Sequence, residues 1–360
     1  MTPHFIDTPA ALASWAAGLR GSAWLTVDTE FVRVDTYHSR LCLIQVGDAH
    51  SAACIDTLAL PDLEPLFDLL FDPATLKIFH SASQDLEIFA ERCGRIPAPL
   101  FDTQIAATLL GLGDQIGYAG LVEKRLGIAV DKSLSRTDWA RRPLSAAELA
   151  YAADDVRHLA TLYPALREEL VQAGRLAWLE EDCAALTEPA RYLTRPEDAW
   201  QRLKGLPRLD STAQAVAAAL AGWREAEARS RNRPRKWILD DEPLYALANR
   251  RPAHLAELEA LQVLPPKTLA RHGEALLAVI HGAATVPPPL APPELDAGQK
   301  ARLKTVQASL RQRAEELNLP ASFLAPRADL EALVVLGDQA PIPLLRGWRR
   351  EQAGAALLAA

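Results

Sequence analysis

The sequence predicts a mixed β-sheet covered by helices, followed by two small domains that are entirely helical. Three observations support this prediction. Short apolar runs of strand length are grouped early in the chain, helical patterns alternate with them and follow them, and the strand pattern disappears after about residue 200. The length of 360 residues fits two or three domains.

The elements of the first half follow from local patterns. The predicted strands are residues 23–27, 41–46, 52–56 and 76–79. The predicted helices are residues 62–71, 83–93, 103–110 and 119–126, and a longer helix that starts after Ser145. Gly94 and Gly127 stand where a helix C-cap glycine belongs, and Ser145 with Glu148 forms a capping box.

The second half shows only helical spacing. Val216, Leu220 and Trp223 recur at helical intervals, and residues 300–317 and 329–336 are also helical in pattern. The proline-rich stretch 286–293 cannot continue a helix and is expected to be a stiff, extended spacer. We therefore predict domains at residues 1–195, 205–286 and 294–360, with a linker at 287–293.

Composition and charge limit the function classes. The hydrophobic share of 49% and charged share of 24% exclude a disordered chain or a disulfide scaffold. The four cysteines have no metal-ligand spacing, and no secretory signal or membrane-length apolar run is seen, so we expect reduced thiols and a cytoplasmic location. Residues 1–200 carry a net charge of −12 and residues 201–360 a net charge of +5, which suggests cation binding in the first part and polyanion binding in the second.

Carboxylates and one tyrosine in the first half are the candidate catalytic residues. Asp28 and Glu30 lie two apart at the end of a predicted strand and therefore on one face, and Asp85 lies near a helix start. Tyr151 and Asp155 lie four apart on one helical face. Oxygen ligands without His or Cys clusters favour Mg²⁺ or Mn²⁺ over zinc, and carboxylates around two such ions are suited to phosphodiester cleavage. Taken singly, each of these residues also has a structural explanation. Asp28 and Glu30 would mark an exposed strand edge, Asp85 would interact with the dipole of its helix, and Tyr151 would be a half-buried helix residue.

The order of these motifs resembles the DEDD superfamily of 3′→5′ exonucleases in its tyrosine-bearing subgroup. The residues that match are Asp28-Thr-Glu30, His80-Ser-Ala-Ser-Gln-Asp85-Leu and Tyr151-Ala-Ala-Asp-Asp155. With the run Thr137-Asp-Trp-Ala-Arg-Arg-Pro-Leu144, the similarity over residues 1–190 is specifically to the ribonuclease D family. The resemblance implies a ribonuclease H-like fold and two divalent cations held by Asp28, Glu30, Asp85 and Asp155, with Tyr151 positioning the nucleophile. Asp102 and Asp154 are outside the implied ligand set and are expected to support the structure.

The stretch from Trp223 to Leu247 resembles an HRDC domain, a small helical module that binds nucleic acid. It includes a basic cluster around an Asn-Arg-Pro turn, from which we predict RNA binding by Arg231, Arg233, Arg235, Lys236 and the adjacent Trp237. A solvated basic loop with Trp237 in the core is the alternative. Residues 300–336 resemble a second, weaker HRDC copy.

Together these features predict a divalent-metal-dependent 3′→5′ exoribonuclease that releases 5′-mononucleotides from tRNA precursors and other structured RNAs. We expect a monomer that does not bind membranes. Two alternatives stay open: a DNA exonuclease of repair or proofreading type, which uses the same metal chemistry, and a non-catalytic RNA-binding protein.

Overall fold

A computed structural model describes residues 3–131, 133–135, 137–283 and 295–359. The predicted proline-rich spacer and the linker 287–293 lie outside these residues. The chain forms two units. The first contains the chain up to Val32, Leu41–Pro189 and the residues from Leu295 onward, and the second contains Arg33–Arg40 and Ala190–Glu294.

A six-stranded mixed sheet is the centre of the first unit. Its strands are β1 His4–Ile6, β2 Trp24–Val32, β3 Arg40–Gly47, β4 Ala52–Asp56, β5 Leu76–Phe79 and β6 Leu100–Asp102, in the order β1-β4-β3-β2-β5-β6. The pairs β1–β4, β2–β5 and β5–β6 are parallel, whereas β3–β4 is antiparallel. This confirms the predicted mixed sheet. However, β2 continues past its predicted end at residue 27, so Asp28 and Glu30 lie within the strand.

Among the described residues up to 186, seven helices accompany the sheet. They are α1 Pro9–Gly18, α2 Glu64–Leu70, α3 Ser83–Cys93, α4 Thr103–Leu109, α5 Tyr118–Leu126, α6 Ala146–Gln172 and α7 Leu176–Leu186. The predicted caps are present: Gly94 and Gly127 have φ values of 67° and 68°, in the left-handed region that glycine enters without strain. The capping box of Ser145 and Glu148 fixes the first residue of α6.

The second unit is helical. Its helices are α8 Ser211–Ser230, α9 Arg235–Ile238, α10 Asp241–Arg250, α11 Leu255–Ala260 and α12 Pro266–Ala283. Val216, Leu220, Leu244 and Leu276 are fully buried in its core, as the helical spacing of the sequence requires. The segment Arg33–Arg40 belongs to this unit because Tyr37 packs against Ala228 and Ile238 and its hydroxyl donates to Glu225.

The last part of the chain packs with the first unit. It contains α13 Ala297–Leu317, α14 Ala321–Leu324, α15 Arg327–Leu336, α16 Gly347–Arg349 and, after a π-helical turn Arg350–Gly354, α17 Ala355–Ala359. The Trp348 ring stacks on Trp178 of α7 at a centroid distance of 4.6 Å, and its Nε1 donates to Asp182 at 3.1 Å. Arg349 also pairs with Asp182. In the described part of the chain, none of the helices has the length and apolar character needed to cross a bilayer.

We predict that Trp348→Ala lowers the free energy of unfolding by about 3–5 kcal/mol, because it removes a buried aromatic ring together with its stacking partner and hydrogen bond. The measurement is the urea midpoint followed by circular dichroism. Trp237→Ala is the control: Trp237 is 60% exposed, so its removal should change the free energy by about 0.5 kcal/mol or less. Equal effects of the two substitutions would contradict the packing described here.

Candidate active site

Strand β2 places two carboxylates on one face of the sheet. Asp28 and Glu30 are separated by one residue, so the alternation of the strand directs both side chains to the same side. One oxygen each from Asp28, Glu30 and Asp155 lie within 4.8 Å of one another. All three side chains are half-buried, so an ion at this point would be largely shielded from bulk solvent.

Helix α6 brings Asp155 and Tyr151 to this strand. The helix start is held by the capping box and by Arg141, which donates to both carboxylate oxygens of Glu148 at 2.7 and 2.8 Å. One turn apart on the helix, Tyr151 and Asp155 face the same way, and the charges of Asp155, Glu30 and Asp28 all act on the Tyr151 hydroxyl. The Tyr151 ring is stacked on Trp139 at a centroid distance of 6.3 Å. The predicted helical face is therefore the one that meets the strand carboxylates.

Helix α3 supplies Asp85, whose side chain is buried. Thr29 lies between Asp28 and Glu30 on β2. Its hydroxyl donates a hydrogen bond to Asp85 Oδ1 at 2.5 Å, and this contact fixes the orientation of the Asp85 carboxylate. Asp85 is outside the tightest three-carboxylate group, but its charge still raises the pKa of Glu30. The structure thus brings together all five predicted catalytic residues, with Asp85 held beside the group through Thr29.

Asp102 and Asp154, which the sequence excluded from the ligand set, have structural contacts. Asp102 caps α4 by accepting from the Gln104 amide at 2.8 Å, and it also accepts from the backbone amides of Ser81 and Ala82 at the start of α3. Asp154 pairs with Arg157 at 2.9 Å and is half exposed. Asp102 therefore helps to place α3 and, through it, Asp85.

Burial and mutual repulsion shift the titration of every carboxyl group in the site. Burial, followed by the charges of Asp28, Asp155 and Asp85, raises the pKa of Glu30 to about 9. Burial is also the main cause that raises the pKa of Asp155 to about 7 and the pKa values of Asp28 and Asp85 well above the usual range. An additional positive charge at this point would stabilise the ionised carboxylates and reverse these shifts.

The sequence analysis missed Tyr118, the first residue of α5. Its hydroxyl lies 3.0 and 3.2 Å from the carbonyl oxygens of Asp154 and Asp155 and 2.9 Å from Nδ1 of His158. The hydroxyl also interacts with the Asp155 carboxylate, and this interaction lowers the pKa of Asp155 against the effect of burial. Tyr118 is distant from Asp155 in sequence and stands in no motif, so nothing local indicates this contact.

Comparisons with known proteins identify the family. A family profile described as "3'-5' exonuclease" matches residues 3–171, and one described as "HRDC domain" matches residues 213–280. Ribonuclease D of Granulibacter bethesdensis is 40% identical over 99% of this chain and 92% of its own length. Ribonuclease D of Acidiphilium cryptum is 41% identical over 98% and 91%. The chain belongs to the ribonuclease D family.

Solved structures agree with this assignment. The structure of Escherichia coli RNase D, described as an exoribonuclease involved in structured RNA processing, matches with a TM-score of 0.91 and 33% identity, covering 99% of this chain and 98% of that one. The catalytic core of RRP6 from Trypanosoma brucei shares the fold, with a TM-score of 0.60 and 23% identity over 78% of this chain and 82% of that one. Membership of the ribonuclease D family makes this chain a 3′–5′ exoribonuclease, and the resemblance seen in the sequence is confirmed.

The exonuclease fold of this family implies dependence on divalent metal ions, and the donor set fits that requirement. Asp28, Glu30, Asp85 and Asp155 offer carboxylate oxygens, the ligands preferred by Mg²⁺ and Mn²⁺. Nδ1 of His80 contacts the Thr103 hydroxyl and Nδ1 of His158 contacts Tyr118, whereas Nε2 of His80 is buried without a hydrogen-bond partner among the described residues. The group of ligand atoms that lie within 4.8 Å of one another in the described part of the chain contains carboxylate oxygens alone. The site is therefore a hard, all-oxygen site, unlike a zinc centre.

The predicted RNA-binding residues of the HRDC region differ in their contacts. Arg235 pairs with the buried Glu225 and donates to the Tyr37 hydroxyl at 3.1 Å, so its charge is engaged inside the unit. Arg231 pairs with Glu227, and Arg233 lies 3.4 Å from Asp35. Lys236 is exposed, and Trp237 is 60% exposed with the Arg233 guanidinium 5.8 Å from its ring centroid. The sequence did not reveal that these neighbouring cations have such different surroundings.

We predict that the metal-free protein becomes less stable as the pH rises from about 4.5 to about 9. Glu30 has a pKa of about 9 in the folded chain and about 4.5 when unfolded, so between these values the folded chain retains a proton that the unfolded chain releases. The measurement is the thermal midpoint in EDTA, compared with Glu30→Gln, whose midpoint should fall less steeply. Saturating Mg²⁺ should raise the midpoint more at high pH. Equal slopes for the two proteins would contradict the assigned electrostatics.

We predict that Tyr118→Phe leaves the fold intact and lowers the hydrolysis rate at limiting Mg²⁺ by about tenfold, the effect expected when a predicted metal ligand loses a supporting contact. Without that hydrogen bond the pKa of Asp155 should rise, so the acid limb of the pH–rate profile should move to higher pH. Tyr245→Phe is the control, because its hydroxyl donates a hydrogen bond to the Lys204 carbonyl oxygen, in the HRDC-containing unit. An unmoved acid limb in Tyr118→Phe would remove Tyr118 from this role.

Proposed function

We propose that this ribonuclease D-family chain trims the 3′ ends of tRNA precursors and other structured RNAs by a mechanism that uses two divalent cations. Each turnover would hydrolyse the terminal phosphodiester bond and release a 5′-mononucleotide. The observation that carries the proposal is the convergence of Asp28, Glu30 and Asp155 within 4.8 Å, with Asp85 and Tyr151 beside them. Mg²⁺ or Mn²⁺ is the proposed cofactor, held by these four carboxylates.

When bound, such cations supply activation of water and neutralisation of the negative charge on the phosphate and on the departing 3′ oxygen. The protein's own groups prepare the site for them. Thr29 fixes the orientation of Asp85, and Tyr118 that of Asp155. Partial burial keeps competing water away and strengthens every interaction between the carboxylates and a cation. These contacts hold the ligands in place before a cation or RNA arrives.

Tyr151 is proposed to orient the attacking water. Burial and the neighbouring carboxylates raise the pKa of its hydroxyl to about 12, so the group stays protonated near neutral pH and cannot act as a strong base. A neutral phenol can still donate or accept a hydrogen bond and thereby hold a water molecule in line with the phosphorus atom. Stacking on Trp139 fixes the ring that carries this hydroxyl.

The HRDC region is proposed to bind the body of the RNA. Arg231, Arg233, Lys236 and Trp237 present cations beside an exposed aromatic ring, which suits backbone phosphates and a stacked base. Arg235 would act by holding Glu225 and Tyr37 in place. A second HRDC-like domain at 294–360, the other predicted domain boundaries, a monomeric state and a cytoplasmic location stay predictions.

We predict that Asp155→Asn abolishes release of 5′-mononucleotides and leaves RNA affinity nearly unchanged, because it removes a metal ligand distant in sequence from the HRDC region. The measurement pairs chromatography of products from a tRNA with an extended 3′ tail, in Mg²⁺, with fluorescence anisotropy of the same RNA. Asp154→Asn is the matched control on the next residue of α6, and it should retain activity since the Asp154 side chain pairs with Arg157 at the surface.

Full activity of Asp155→Asn would exclude it from the site. A DNA strand of the same sequence tests the substrate class in the same assay, since only the 2′-hydroxyl distinguishes the two substrates in their backbones. Faster degradation of the DNA strand would favour the DNA exonuclease alternative. Absence of release from either strand at any Mg²⁺ or Mn²⁺ concentration would favour a non-catalytic RNA-binding protein.

A further inference from the structure

A cleft of about 670 Å³ opens in the second unit, away in sequence from the basic cluster around Asn232. It lies along the two 3₁₀ turns Pro189–Arg191 and Pro196–Arg202. The side chains that matter for its chemistry are Arg191, Leu193, Thr194, Arg195 and Arg202. A volume of this size accommodates a nucleotide rather than a single small ion.

The wall of this cleft, which we call the arginine cleft, is held by defined hydrogen bonds. Arg202 Nη2 donates to the Thr194 hydroxyl at 2.6 Å. Arg229 of α8 donates from Nη2 to the Thr194 carbonyl oxygen at 2.5 Å. Thr194 therefore joins the turn that carries Arg202 to the long helix α8, and the guanidinium of Arg202 has a fixed position at the rim.

The three cleft arginines differ in their acidic neighbours: Asp198 also lines the cleft, and the charge of Arg202 acts on Glu225. Arg195 is paired with Asp198 at 2.6 Å and with Glu197 at 3.7 Å. Among the residues that the structure describes, Arg191 makes no hydrogen bond or ion pair, and Arg202 has a hydroxyl, not a carboxylate, as its hydrogen-bonding partner. The side chains of Arg191 and Arg202 are exposed, so both guanidinium groups can reach an anion that enters the cleft.

An apolar surface completes the arginine cleft. Leu193 lines it and is 41% exposed. Guanidinium groups bind phosphates, and an apolar side chain packs against flat or apolar groups. The cleft therefore suits a ligand in which phosphates alternate with such groups. The phosphodiester backbone of RNA, with its sugars and bases, has this alternation, whereas an acidic peptide lacks the regular spacing of anions.

We propose that the arginine cleft binds the RNA backbone, with Arg191 and Arg202 on phosphates and Leu193 against a ribose or base. The proposal rests on the proposed function, since it takes RNA as the substrate, and it adds a binding surface distinct from Arg231, Arg233, Lys236 and Trp237. Arg195 is neutralised by its acidic partners and shapes the rim. Arg229 is a positioning residue, because it acts through Thr194.

The test is the salt dependence of RNA affinity in the full chain carrying Arg191→Ala and Arg202→Ala together. Fluorescence anisotropy of a labelled tRNA with a short 3′ tail is measured in EDTA, which prevents hydrolysis, at roughly 50 to 200 mM KCl. Loss of two phosphate contacts should raise Kd at the low-salt end by about tenfold or more. It should also reduce the slope of log K against log salt by about 1.4 to 1.8.

Two further variants make the result decisive. Arg191→Glu changes a residue without internal contacts, so it cannot act through the fold, and it should weaken binding by more than removal of the charge alone. Arg208→Ala with Arg250→Ala removes two exposed arginines of the same unit that do not line the cleft, and the slope should stay at the wild-type value. Wild-type Kd and slope in both cleft variants would overturn the proposal.

Hydrolysis of an RNA trinucleotide by the wild-type chain in Mg²⁺ is measured separately. If that reaction is absent, the proposed function fails, while anisotropy in EDTA still decides whether the arginine cleft binds RNA. If the trinucleotide is hydrolysed and the cleft variants bind tRNA like wild type, only the cleft proposal fails. The two failures are therefore distinguishable.

Discussion

Carboxylates supplied by three different elements, β2, α3 and α6, share one partly buried site, and burial together with the charges of the other three raises the pKa of Glu30 to about 9. Without a cation, the folded chain must therefore either keep these carboxyl groups protonated or bear the repulsion between their charges. Either condition lowers the free energy of unfolding at high pH. A divalent ion removes this conflict. The repulsion that disfavours this site in the isolated chain therefore favours the binding of a hard cation there.

Because repulsion tends to separate the carboxylates, the surrounding structure must hold them together. Arg142 forms an ion pair with Asp56 at 2.6 Å, and this contact holds the loop before α6 against strand β4. The capping box then sets the first residue of α6, and the helical repeat carries that position forward to Tyr151 and Asp155. Asp102 does the same for α3 by accepting hydrogen bonds from the amides of Ser81 and Ala82, the two residues that precede the helix. These pairs are remote from the chemistry, yet they determine where the ligands lie.

Much of this site could be predicted because its signals are local. A two-residue spacing in a strand and a four-residue spacing in a helix each imply a shared face, and the order of the motifs supplied the rest. The short strands β1 and β6, three residues each, are too brief to show alternation and were missed. Tyr118 and Thr29 were missed because their roles depend on tertiary contacts with Asp155 and Asp85, which no spacing along the chain encodes.

Tertiary contacts also limit what the basic half of the sequence predicts. Its net charge can be counted from the sequence, but the ion pairs that its basic side chains form cannot. Arg224 is 7% exposed and pairs with Asp241, Arg349 pairs with Asp182, and Arg235 pairs with a glutamate that is 1% exposed. Such arginines add to the net charge but act mainly within the fold. We propose that exposed cations such as Arg191, which makes no ion pair with a described residue, are better placed to meet a phosphate. Arg235 lies in the most conspicuous basic run, but its charge is engaged with Glu225.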